Sequence, residues 1–302
     1  MISILVTGAN GQLGSELKHI YKKALHKFEQ PINFEFTDID TLDLSNSIFL
    51  KKFIQDHSFD FIINCAAYTN VDLAESEKDS AIMVNSTCVK NIVDSIEKSN
   101  IKFIHISTDY VFDGAKEEPY IETDKAKPIN AYGRTKLAGE QAIQSSGCDY
   151  LIFRTSWVYA SRGHNFLLTM LKLAQEREEL SIVDDQIGSP TSARLIADTT
   201  VLCAQHAIKE KLVGVFSSDL YHLTTSGHTS WHGFTEEIVK LASSSLNLPL
   251  TIKELKAIPT SDYPTPAIRP MNSQLALTKL ESVFTLKMPD WKKSLFFCMA
   301  EI

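Results

Sequence analysis

The chain reads as an α/β protein built on a doubly wound parallel sheet, carrying a smaller α/β part for substrate. Three observations predict this. The opening run, residues 2–14, ISILVTGANGQLG, is an apolar strand that breaks into Gly8, Gly11 and Gly14. Further strand-like runs follow at 33–38, 59–65, 101–107 and 150–155, each separated by a segment with helix-length apolar periodicity. That alternation calls for right-handed crossovers, and so for a parallel sheet. At the end of the first strand the glycines remove Cβ atoms that would block a pyrophosphate, and residues 12–25 then offer a helix N-terminus to it. The reading is a Rossmann-like dinucleotide-binding domain over 1–157. A mainly substrate-binding part fills 158–302, with segments at about 180–225 returning to the Rossmann sheet.

The second half is less regular. Pro190, Pro249, Pro259, Pro264, Pro266 and Pro270 punctuate it, and helical patterns fall at 165–177, 192–208 and 231–246. Laid over the carboxyl edge of the sheet, it would cover the place where open α/β folds hold their ligands.

Composition narrows the class. With 302 residues and 44% hydrophobic content the chain can bury a large core. A formal charge of −7 and the lack of a Lys/Arg run argue against a nucleic acid polymer or an anionic membrane as partner. Cys65, Cys88, Cys148, Cys203 and Cys298 are scattered and odd in number, with no C-x-x-C, which reads as reduced cytosolic thiols and no zinc site. A strand starting at residue two leaves no room for a signal peptide, and no apolar stretch approaches the roughly 20 residues a bilayer needs. The expectation is a soluble cytoplasmic protein. His164, His222, His228 and His232 show no metal-ligand spacing, and Asp290 alone does not make a magnesium site.

Chemistry concentrates around two places. Asp38 ends the second strand at about the distance from the glycines, roughly 20 residues, expected of a ribose-binding acid. A carboxylate there suits the 2′-hydroxyl of NADH and repels the 2′-phosphate of NADPH, although an ordinary turn aspartate fits equally well. Asp43 and Leu44 could flank the adenine. Ser107-Thr108-Asp109-Tyr110 ends the fourth strand, and Tyr132 with Lys136 follows as Y-x-x-x-K, both side chains on one helical face. Of the nine tyrosines only Tyr132 has a lysine four residues on, which weighs against a chance pair on an amphipathic surface. A phenol is a poor acid or base at neutral pH. Lys136 and an oxidised nicotinamide would favour its phenolate, and lowering its pKa by about three units takes roughly 4 kcal/mol.

These residues resemble the extended short-chain dehydrogenase/reductase superfamily, and within it the dTDP-4-dehydrorhamnose reductase family. The stretches that carry the resemblance are Cys65-Ala66-Ala67-Tyr68-Thr69-Asn70-Val71-Asp72 with Ala74-Glu75, Val84-Asn85, and STDYVFDG at 107–114. Beyond them come RTSWVY at 154–159, Asp185-Gln186, GSPT at 188–191, Tyr221-His222-Leu223, Ser226-Gly227 and Trp231-His232. Tyr263-Pro264-Thr265-Pro266-Ala267 and Arg269-Pro270 with Asn272-Ser273 complete the set. The resemblance implies a catalytic Thr108, Tyr132 and Lys136. It implies a cofactor, NADPH or NADH, along Gly8, Asn10, Gly11, Gln12, Leu13, Gly14, Ala66, Ala67 and Tyr68, with Lys136 at the nicotinamide ribose. Asp109, Tyr110 and Trp157 would line the sugar of a dTDP-sugar substrate, with Asn85 in support. Reduction of the C4 keto group would give dTDP-L-rhamnose. Relatives that form metal-linked dimers leave room for a homodimer.

Two other readings stand beside this one. One is a reductase, dehydratase or epimerase acting on another dTDP-6-deoxyhexose; a dehydratase would carry an Asp-Glu pair after the threonine, where this chain has Asp109-Tyr110. A non-catalytic nucleotide-binding regulatory subunit would have no use for an intact triad.

Overall fold

The sheet forms because β-branched and aromatic side chains in short apolar runs bury both faces of parallel strands. The computed structural model describes residues 2–24, 31–212 and 216–302. In chain order its first half holds β1 (Ile2–Thr7), α1 (Gln12–Ala24), β2 (Ile32–Phe36), α2 (Ser47–Asp56), β3 (Phe61–Asn64), α3 (Lys78–Ile82) and α4 (Cys88–Ile96). After these come β4 (Lys102–Thr108), α5 (Ala131–Gln144) and β5 (Asp149–Thr155). The second half supplies β6 (Val158–Tyr159), α6 (Phe166–Glu176), β7 (Glu179–Val183), β8 (Ile187–Gly188), β9 (Thr191–Ser192), α7 (Ala193–Leu212) and β10 (Asp219–His222). It ends with β11 (Thr229–Ser230), α8 (Trp231–Ser244), β12 (Glu254–Ile258), α9 (Thr278–Phe284) and α10 (Trp291–Met299).

Six parallel strands make the main sheet, in the order β10-β5-β4-β3-β1-β2. The chain winds outward from β1 in both directions, so the order reverses between β1 and β3. The crevice beyond their carboxyl ends is where such sheets bind ligands. Side chains alternate between two cores. Ile4 and Val6 join Leu17, Ala197 and Val201 under α1 and α7, while Leu5 joins Leu50, Val89 and Ile92 under α2 and α4.

The expected strands are all present, a residue or two shorter at some ends. Residue 25, the last of the expected first helix, lies outside the described residues. The crossover between β3 and β4 departs from a plain helix: α3 runs into a π-helical turn, Met83–Thr87, before α4. That turn buries Asn85 against α5, where a Cβ on Gly139 would come within 2.3 Å of the Asn85 carbonyl oxygen.

A third core of Tyr159, Leu167, Met170, Phe234, Ile238, Trp291 and Leu295 lies among α6, α8 and α10. The parallel pair β7 and β12 borders it, while β10 returns to the main sheet beside β5. β6, β8, β9 and β11 span two residues each, too few for a period to register in sequence.

Between α5 and the carboxyl end of the sheet sits a buried ion pair. Arg154 on β5 holds Glu140 on α5 through two bonds of 2.9 and 2.7 Å, and the Ser107 hydroxyl donates to the same carboxylate at 2.5 Å. All three are buried. Removing only the cation strands a carboxylate in a dry interior, so Arg154→Leu should cost about 3–5 kcal/mol. Replacing Glu140 and Arg154 together by leucine should cost far less, and urea unfolding of the single and double variants measures the difference.

Candidate active site

The first wall of the site is the glycine turn between β1 and α1. Gly8 adopts φ +66°, a conformation that side chains rarely tolerate, and a Cβ there would lie 2.5 Å from the Ala66 amide nitrogen. A Cβ on Gly14 would lie 2.4 Å from the Gly8 carbonyl oxygen. On Gly11 it would meet only that same oxygen at 3.4 Å, an ordinary contact. Tight packing at the flanking glycines thus leaves the middle of the turn free for a pyrophosphate, with the α1 N-terminus beyond it. Gln12 and Leu13 begin that helix. Asn165 fastens it to the second half, donating from Nδ2 to Gln12 Oε1 at 3.0 Å.

Asp38 closes the same turn. One carboxylate oxygen accepts from the Asn10 amide and the other from the Ile39 amide, both at 2.8 Å. The side chain is therefore part of the turn's scaffold, with lone pairs left over for a ribose. Asp43 caps its own loop by accepting from the amide and hydroxyl of Ser45, which holds its carboxyl below the usual range. Leu44 is buried beside it. Ala66 backs against Gly8, and Ala67 is half-buried between it and Tyr68. Tyr68 is clamped by Asn85, which accepts from its amide at 2.9 Å and donates to its carbonyl at 3.0 Å. Asn85 also donates to Thr135 Oγ1 on α5, so one buried amide ties this loop to the helix of the Y-x-x-x-K pair.

β4 and α5 supply the second wall. Asn130 caps α5 by accepting from the Gly133 amide at 2.8 Å, and Glu75 accepts from the Ala131 amide at 2.6 Å. Thr108 ends β4, where its hydroxyl donates to Asp109 Oδ1 at 3.0 Å and lies within hydrogen-bonding reach of the Tyr132 phenol. Tyr110 meets Tyr132 edge to face, with ring centroids 5.5 Å apart. Burial pushes the Tyr132 phenol up to about 12, the Thr108 hydrogen bond pulls against that and the Asp109 charge adds to it. The phenolate expected from the sequence is thus not favoured by the protein alone. Burial likewise lifts Asp109 to about 6. Lys136 is buried, donates to the Ile106 carbonyl at 2.7 Å, and is pulled down by that burial to about 8, against the opposing charge of Glu140.

Trp157, just past β5, takes an unusual backbone position, φ +47°. Its indole stacks on Trp231 at 3.5 Å and 3°, Phe166 packs against Trp231 with ring centroids 4.5 Å apart, and a Cβ on Gly188 would be 2.4 Å from the Trp157 ring. Trp231 is oriented by donating from Nε1 to Gln186 Oε1 at 3.1 Å.

The structure thus brings Thr108, Asp109, Tyr110, Tyr132 and Lys136 together. The turn residues Gly8, Asn10, Gly11 and Gly14 sit at the end of β1, separated from β4 by β3, and Asp43 with Leu44 lies beyond β2. Sequence reasoning missed His105 on β4, which lies beside Lys136, and Asn64 on β3, which bonds to His105. The available signal was a polar residue inside each of two otherwise apolar strands. Among the described residues there is no group of three or more His, Cys, Asp or Glu arranged to hold a metal ion.

Comparison with known proteins places this geometry. A family model described as the RmlD substrate binding domain matches residues 2–302. A dTDP-4-dehydrorhamnose reductase of Burkholderia thailandensis is 45% identical over 302 residues, all of this chain and 99% of that protein. One from Escherichia coli is 43% identical over 292 residues, 96% of this chain and 95% of that one. Among solved structures, a dTDP-4-dehydrorhamnose reductase of Clostridium acetobutylicum superposes with a TM-score of 0.88 at 35% identity, covering 99% of both chains. One from Bacillus anthracis, in complex with NADP, superposes at 0.87 with 33% identity and full coverage of both. With an Asn-capped Y-x-x-x-K helix set against a glycine turn, and likeness running from end to end, this chain belongs to the dTDP-4-dehydrorhamnose reductase family.

Proposed function

We propose that the chain reduces the C4 keto group of dTDP-4-dehydro-L-rhamnose, using NADPH or NADH, to give dTDP-L-rhamnose in the last step of that nucleotide sugar's synthesis. One observation carries the reading. Thr108, Tyr132 and Lys136 converge at the carboxyl edge of the sheet in a chain 45% identical, end to end, to a reductase of that name. The cradle at Gly8, Gly11 and Gly14 fits a dinucleotide, because the turn is shaped so that backbone amides and no side chain meet the phosphates. Residues 10–14, Asp38, Asp43, Leu44 and 66–68 would hold it, with Lys136 on the nicotinamide ribose. The cofactor, when bound, supplies the hydride.

The remaining work falls to side chains. Tyr132 gives its phenolic proton to the oxygen at C4 as negative charge develops there. A pKa of about 12 keeps that proton in place at neutral pH, as an acid in the reducing direction requires. Thr108 donates a hydrogen bond to the same oxygen, and Lys136 stabilises the phenolate left behind. Asp109, Tyr110 and Trp157 line the sugar, the indole face suiting the apolar side of a deoxyhexose. On this reading residues 1–157 are mainly the cofactor half and 158–302 mainly the sugar half. The substrate is water-soluble, as suits a cytoplasmic enzyme, and no helix among the described residues is long and apolar enough to cross a membrane.

Tyr132→Phe should lower turnover by about 10²-fold or more with cofactor affinity preserved, since general acid catalysis is commonly worth that much. Lys136→Met should damage both. Product identification by NMR, followed by steady-state kinetics and cofactor titration of each variant, checks the assignment; near-normal turnover in Tyr132→Phe would remove the phenol from the mechanism.

Asp38→Ala tests the ribose side. Loss of a charged hydrogen bond should weaken NADH by roughly 1–3 kcal/mol, while NADPH should suffer less because a repulsive neighbour of its phosphate has gone. Equal weakening of both cofactors would mean that Asp38 serves only the Asn10 turn.

A further inference from the structure

The inward face of Lys136 carries a chain of buried polar groups that the reaction above does not use. Asn64 and His105 are register partners on β3 and β4, both essentially without exposure. Asn64 Oδ1 accepts from the Thr7 hydroxyl at 2.7 Å and from the Ala66 backbone amide at 3.1 Å. A backbone N–H can only donate, so the Asn64 side chain cannot be turned over, and its Nδ2 faces His105 Nδ1 at 3.1 Å. An amide nitrogen also only donates. His105 Nδ1 must therefore offer its lone pair, which leaves the ring proton on Nε2.

That proton points at Lys136. His105 Nε2 lies 3.3 Å from Lys136 Nζ, which donates in turn to the Ile106 carbonyl. A neutral amine has a lone pair to receive the Nε2 proton. An ammonium has none, so proton would face proton in a dry interior. Protonating His105 on both nitrogens gives no escape: Nδ1–H would collide with the Asn64 amide, and burial, reinforced by the Lys136 charge, holds the ring well below its ordinary pKa.

The other groups facing Lys136 do not reverse this. Cys65, from the end of β3, is a neutral thiol whose pKa burial raises to about 12. Glu140, one turn along α5, favours the charged lysine, but both its oxygens are committed to Arg154 and Ser107. Tyr132, whose phenol burial keeps neutral at physiological pH, and Asp109 are not among the groups that act on Lys136.

We propose that His105 is a positioning residue that favours the neutral amine of Lys136 over the ammonium in the cofactor-free protein, through a tautomer locked by Asn64, Thr7 and the Ala66 amide. The ammonium form is then drawn out when the polyanionic dinucleotide binds, with the proton taken up from solvent onto Nζ. The inference rests on the reading that Lys136 meets the cofactor ribose, and it needs no statement about the sugar.

Calorimetric titration of the whole chain with NADP in buffers of different ionisation enthalpy counts the protons taken up. In the unaltered protein, uptake should set in as pH rises through about 8, where Lys136 loses its charge. His105→Gln can rotate an oxygen toward the ammonium. Asn64→Asp accepts a proton from Nδ1 and so forces the other tautomer, freeing Nε2 to accept from Lys136. In both, the onset should move up by about one pH unit or more, toward the ordinary lysine range. An unchanged onset in both variants overturns the proposal, as does a nitrogen NMR spectrum of the unaltered protein with the His105 proton on Nδ1. Failure to bind NADP at all overturns the cofactor reading beneath it, whereas failure on the sugar alone leaves the proton count intact.

Discussion

The pairing of β4 with β5 over seven residues, from Lys102 against Asp149 to Thr108 against Thr155, sets where Thr108 stands at the carboxyl edge of the sheet. In a parallel ladder each residue's height along the strand follows from the register, so Thr108 reaches the carboxyl edge only because the strand begins where it does. α5 then has to be held against that edge without slipping along its own axis. The Glu140 carboxylate does this, reaching Arg154 on β5 and Ser107 on β4 at once. An error of one residue in the strand, or one turn in the helix, would separate Thr108 from Tyr132.

The same clamp shapes the electrostatics. Glu140 is charged and close to Lys136, yet its hydrogen-bonding capacity is spent on Arg154 and Ser107, and burial still dominates the lysine. Tyr132 is likewise governed by burial, with Thr108 and Asp109 pulling in opposite directions. A site assembled this way holds its proton on the phenol and relaxes its hold on the proton of the amine. That arrangement matches a hydride acceptor that needs a proton delivered to oxygen. The cofactor side depends on a different constraint, the glycine turn, whose packing against Ala66 and Ala9 excludes side chains by distance alone.

The sequence by itself located the main strands along the chain and their parallel arrangement, because buried parallel strands need unbroken apolar runs and such runs survive in a linear string. It also pointed to Gly8 and Gly14, where only glycine fits, and to Tyr132 and Lys136, because a spacing of four on a helix is a local property. Only the tertiary structure decided that Asp38 braces the Asn10 turn, that Trp157 stacks on Trp231, and that Asn64 and His105 stand behind Lys136. Those partners come from separate elements, and their meeting depends on register and helix placement, which no short-range pattern encodes. The short strands and the π-helical turn at 83–87 were hidden for the related reason that two residues, or one extra residue in a helix, leave no periodic trace.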